Sequence, residues 1–120
     1  MKILVTGISG YVGSRLAPRL LRAGHDVRGL SRRPEAARGG VPMFEGDVIS
    51  GAGVEAALDG VDVAYYLIHS MEPSTDGAFN VRERRAAENF ARAAETAGVG
   101  RIVYLGGLLP ARGPASVWVP

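Results

Sequence analysis

The chain reads as an α/β protein, a three-layer doubly wound parallel sheet of about five strands in the order 3-2-1-4-5 that stops before a sixth. Three observations predict this. The runs at 3–6, 61–69 and 101–106 are short and nearly continuously apolar, as in strands buried on both faces. Between strands lie segments with apolar residues at helical spacing, such as Leu16, Leu20 and Leu21. Strand and helix patterns also alternate along the whole chain, which favours parallel crossovers over hairpins.

The elements follow in order. Ile3 to Thr6 forms the first strand, and Gly7, Gly10 and Gly13 follow it at a three-residue spacing. A helix over about Tyr11 to Ala23 comes next, stopped by Gly24. Pro18 falls about two turns into it and can kink it. Asp26 to Ser31 forms the second strand and Val41 to Glu45 a short third, closed by Gly46, Asp47 and Val48. A short helix over about 53–58 ends at Gly60, and 61–69 is a central strand. Asn80 to Ala97 is the longest helix, with a small apolar face of Ala86, Ala87, Phe90, Ala93, Ala94 and Ala97 and a stop at Gly98. Arg101 to Gly106 forms the fifth strand. Residues 1–109 are expected to be one domain, and 110–120, with three prolines and no helical period, an irregular tail.

Composition narrows the functions. Hydrophobic residues at 47% and charged residues at 22% are ordinary for a globular chain of 120 residues. There is no cysteine, so neither a disulfide nor a thiolate metal site is expected, and His25 and His69 lack ligand spacing. No run has the length of a membrane span and no signal peptide is evident, so a cytoplasmic protein without membrane contact is expected. The basic run Arg82-Glu83-Arg84-Arg85 reads as a solvated helix face, and no stacking aromatics interleave with it, which argues against nucleic acid.

The glycines carry the chemistry. A strand, a glycine turn and a helix make a dinucleotide site: Gly7 takes the tight turn, Gly10 has no Cβ to obstruct a pyrophosphate, and Gly13 lets helix and strand approach. The free amides at the helix start then face the phosphates. Gly7, Ser9, Gly10, Tyr11, Val12 and Gly13 are therefore candidate cofactor contacts. An Asp or Glu about 20 residues on would hold the adenine ribose 2′-hydroxyl. Here stand Leu30, Ser31, Arg32 and Arg33, with no carboxylate before Glu35. A guanidinium suits a 2′-phosphate, so Ser31, Arg32 and Arg33 favour NADP(H) over NAD(H). Asp47, beside Val48, either accepts from the adenine amino group or caps the helix that follows. Leu67, Ile68 and His69 fall at a strand's carboxyl end, where such sheets bind ligands; His69 either meets the nicotinamide side or is satisfied locally.

With these residues assembled, the chain resembles atypical or extended short-chain dehydrogenases/reductases, a Rossmann-fold superfamily. Thr6-Gly-Ile-Ser-Gly-Tyr-Val-Gly13 is similar to its glycine motif, Gly46-Asp47-Val48 to its adenine-side signature, and Asn89-Phe-Ala-Arg-Ala-Ala94 to its long helix. Tyr65-Tyr-Leu-Ile-His-Ser-Met71 with Tyr104-Leu-Gly-Gly-Leu108 is most similar to the NAD(P)H-binding, NmrA-like and epimerase/dehydratase-like branch. The resemblance implies an oxidoreductase, epimerase or dehydratase that uses a Tyr-x-x-x-Lys pair, whose lysine lowers the tyrosine pKa. The only lysine is Lys2, in the first strand; Gly106 and Gly107 stand where a serine is common, and Glu83 where relatives often place asparagine. No catalytic residue and no metal ligand is therefore assigned. The expected function is the NADP(H)-binding domain of an oxidoreductase, incomplete for catalysis alone and acting on an unknown small molecule. A non-catalytic NADP(H)-binding redox sensor with a regulatory partner, or an inactive remnant, are the alternatives. An open outer edge on the fifth strand is expected to pair two copies, unless Ser116 to Val119 cap it.

Overall fold

A computed structural model describes residues 1–8, 10–33, 40–67, 77–105 and 117–119. The elements are β1 (Lys2–Thr6), α1 (Tyr11–Arg22), β2 (Asp26–Ser31), β3 (Met43–Glu45), α2 (Val54–Leu58), β4 (Val63–Tyr66), α3 (Gly77–Ala97), β5 (Arg101–Leu105) and β6 (Val117–Val119). All strands pair in parallel, in the order β3-β2-β1-β4-β5-β6. The five-strand order is the expected one. The sixth strand is a correction, because 110–120 was expected to be irregular. Val117, Trp118 and Val119 align with Val103, Tyr104 and Leu105. The β5 edge expected to be open is therefore paired from within the chain, as the capping alternative had it.

The sheet separates two apolar layers, because side chains along a strand alternate between faces. On one face Ile3, Val5, Val27 and Leu67 pack with Ala17, Leu16, Leu20 and Leu21 of α1. On the other, Leu4, Leu30, Ala64 and Tyr66 pack with Val54, Ala57 and Leu58 of α2 and Ala86, Phe90, Ala93 and Ala94 of α3. The alanines of α3 let it lie close to the sheet, with Phe90 filling the space between and tilted against Tyr66 at 5.0 Å. Helix α1 ends as its glycine predicts. Gly24 has φ +90°, and the amides of Gly24 and His25 donate to the carbonyls of Leu21 and Leu20, which closes the last turn. The helix runs unbroken through Pro18, which is exposed, so water can satisfy the carbonyl that a proline cannot bond.

Two strands are shorter than expected. Val41 makes only an isolated bridge before β3, and β4 runs only from Val63 to Tyr66, while Gly106, expected in the fifth strand, lies outside the described residues. One strand charge braces a neighbouring helix. Arg28 of β2 donates from Nη1 to the carbonyls of Ala57 and Asp59, both at 3.0 Å, and so caps α2. Its guanidinium also lies 4.7 Å from the Phe44 ring centre.

Candidate functional site

The site lies at the carboxyl ends of the strands, where the order reverses between β1 and β4. Thr6 fixes that point. Its buried hydroxyl donates to the Tyr65 carbonyl at 2.9 Å and accepts from the Leu67 amide at 3.1 Å, so the ends of β1 and β4 are locked side by side. Leu67 is buried there, while Ile68 and His69 lie outside the described residues.

Gly7 turns the chain with φ +69°, and its carbonyl accepts from the Gly10 amide at 3.0 Å. Gly10 is the N-cap of α1 in extended conformation; no side chain caps the helix and no acid stands in its first turn. Its first-turn amides therefore have no intrahelical acceptor and no competing negative charge. Gly13 is buried, and a Cβ there would lie 2.2 Å from the Gly7 carbonyl oxygen and 2.7 Å from Ile8 Cα. At Gly10 it would lie 3.2 Å from that same oxygen. Tyr11 is exposed, with Arg15 stacked 3.7 Å from its ring centre, and Val12 packs partly into the α1 layer. Ser9 lies outside the described residues. These features fit a dinucleotide pyrophosphate: Gly7, Gly10 and Gly13 stand beside helix amides that no side chain caps.

At the exit of β2, the Ser31 hydroxyl oxygen accepts from the Arg33 amide at 3.0 Å, and Arg32 and Arg33 are exposed. A groove lined by Arg32, Glu45, Gly46, Asp47, Ala52 and Gly53 opens beside them. Asp47 does not cap α2, whose N-cap is Gly53 without a side-chain bond. Its Oδ1 instead accepts from the Ile49 amide at 2.9 Å, and its main chain bonds Ala52 and Gly51. An aspartate turn thus holds the loop in which Val48 is buried. Asn89 of α3 secures that loop from behind, donating to the carbonyls of Val48 and Ile49. Neither Asn89 nor Glu45 was singled out as a site residue in the sequence. Glu45 could have been noticed as the last residue of the third strand.

Farther along the sheet, burial pushes the Tyr66 phenol well above the usual tyrosine range, with smaller contributions from Glu83 and Tyr104. Burial also raises Tyr104, whose ring lies 5.4 Å from that of Tyr66. Among the described residues no group of histidines and acids could hold a metal, and no helix is long and apolar enough to cross a membrane.

The model of a family described as NAD(P)H-binding matches residues 7–118. The chain is 33% identical over 114 residues to a 3-beta-hydroxysteroid dehydrogenase of Mycolicibacterium neoaurum, covering 86% of this chain and 31% of that one. It superposes with a TM-score of 0.70 and 28% identity on a short-chain dehydrogenase/reductase superfamily protein from Agrobacterium tumefaciens with bound NAD, covering 88% of this chain and 32% of that one. With Citrobacter sp. triphenylmethane reductase, complexed with NADP(H), the TM-score is 0.72 at 26% identity, over 88% of this chain and 37% of that one. The chain spans about a third of the length of the curated dehydrogenases and reductases it matches. With its glycine turn, its sheet order and these matches, the chain belongs to the NAD(P)H-binding family and shares the fold of the short-chain dehydrogenase/reductase superfamily.

Proposed function

We propose that the chain binds NADP(H) in preference to NAD(H), as the cofactor domain of a reductase or dehydrogenase acting on a small molecule. The observation that carries the preference is the pair of exposed guanidiniums, Arg32 and Arg33, at the exit of β2, where an NAD-type site would present a carboxylate. Gly7, Ser9, Gly10, Tyr11, Val12 and Gly13 take the pyrophosphate, through amides rather than side chains. Arg32 and Arg33 take the 2′-phosphate. Ser31 assists, since accepting from the Arg33 amide leaves its own hydroxyl proton to donate. Asp47 and Val48 line the adenine side, and Leu67, Ile68 and His69 the nicotinamide side. The cofactor supplies the hydride; these residues bind and orient it.

Substrate binding and proton transfer are assigned to no residue of these 120. The dehydrogenase and reductase relatives are about three times as long, and Lys2, the only lysine, lies at the amino end of β1 with its amide bonded to Asp62. The test is calorimetric titration with NADPH and NADH of the chain and of the Arg32→Ala, Arg33→Ala double variant. The expected loss is about tenfold or more for NADPH, from charge-assisted hydrogen bonds, and less than about twofold for NADH. Equal losses for both would overturn the preference.

A further inference from the structure

The groove beside β2 is not purely basic. The register aligns Ser31 with Glu45 on the adjacent strand β3, so the two side chains leave the same face of strands about 4.8 Å apart. Glu45 is exposed and lines the groove with Arg32, and Asp47 lies two residues on. The acid that β2 lacks at its own end is therefore supplied, in space, by the end of β3. The main chain beside Glu45 is closely packed: a Cβ on Gly46 would meet Leu30 Cδ1 at 2.5 Å, and one on Gly53 the Glu45 carbonyl oxygen at 2.3 Å.

We propose that Glu45 is a selectivity residue: its carboxylate opposes the 2′-phosphate that Arg32 and Arg33 attract, and so limits the preference for NADP(H). This rests on the nucleotide-binding reading above. A carboxylate within a few ångströms of a phosphate weakens its binding through water-screened Coulomb repulsion, and a nucleotide with a free 2′-hydroxyl escapes that penalty. Arg32 and Glu45 set opposite signs of the same discrimination, and a ligand is selected by the difference between them.

The experiment is calorimetric titration of the chain and of Glu45→Gln with NADPH and NADH, and with the half-ligands adenosine 2′,5′-bisphosphate and AMP. Glu45 is exposed, so the variant keeps the thermal midpoint of the parent. The expected result is about a three- to tenfold tightening of NADPH and of adenosine 2′,5′-bisphosphate, less than about twofold change for NADH and AMP, and a smaller gain at high salt. An unchanged NADPH-to-NADH ratio, or a ratio changed only through weaker NADH binding, would overturn the role of Glu45 while leaving the nucleotide site intact. Failure of the unsubstituted chain to bind either dinucleotide would overturn that site, and this inference with it.

Discussion

The side-chain amide of Asn89 donates to the carbonyl of Ile49 at 2.9 Å and to that of Val48 at 3.1 Å, tying the longest helix to the loop after β3. One side chain thereby ties α3 to the loop that carries Asp47 and Val48. Asn89→Ala is expected to cost about 1–3 kcal/mol in chemical denaturation. It should also speed amide exchange at Ile49 and Gly51 while leaving β1 protected. Asn89→Asp, which keeps the shape but turns oxygens toward both carbonyls, should be worse than alanine.

Two glycines separate close packing from backbone conformation. At Gly13 a Cβ collides with main-chain atoms of Gly7 and Ile8, which have nowhere to go. Gly13→Ala should cost about 3 kcal/mol or more and abolish nucleotide binding. At Gly24 nothing lies within 4 Å, and only its φ of +90° resists substitution. Gly24→Ala should cost about 1 kcal/mol, the ordinary cost of left-handed backbone, and leave binding unchanged. Urea unfolding and titration of both variants check the contrast.

Thr6 is the polar pin between β1 and β4. Thr6→Val keeps the volume but leaves the Leu67 amide and the Tyr65 carbonyl without that partner, at a cost of about 1–3 kcal/mol. Thr6→Ser should restore most of the loss. Equal stability of the valine and serine variants would show that the hydroxyl contributes nothing.

Stability at high pH should report the tyrosines. Burial raises the Tyr66 and Tyr104 phenols in the folded chain, so the folded state holds these protons when the unfolded state has lost them. The stabilisation is fully present below the unfolded value near pH 10 and is lost as pH rises beyond it. The thermal midpoint should therefore fall above about pH 10, and Tyr66→Phe should flatten that fall.

What was legible in the sequence was local and repeated. Residues 26–31 and the turn from Gly7 to Gly13 were readable because strand runs, glycines and the helix stop at Gly24 each act on near neighbours. The alternation of elements gave the parallel sheet, and the usual order of doubly wound sheets gave the strand order. Less visible were features made by residues distant in sequence. Arg28 reads as an ordinary strand charge until α2 is folded beneath it. Asp47 was expected to meet the adenine or to cap the following helix, and its bond to the Ile49 amide within the loop is one that spacing does not separate from a helix cap. Glu45 joins the site only through its register with Ser31. The β6 pairing had no periodic pattern to announce it, since three residues between prolines carry no repeat.

The glycine turn between β1 and α1 is the segment proposed to hold the dinucleotide. Backbone amide shifts followed by NMR during titration with NADPH test it residue by residue. Saturable shifts are expected, largest at Gly10 to Gly13, at Arg32 and Arg33, and at Asp47 and Val48. Saturation with those amides unmoved, or no binding at millimolar NADPH, would contradict it.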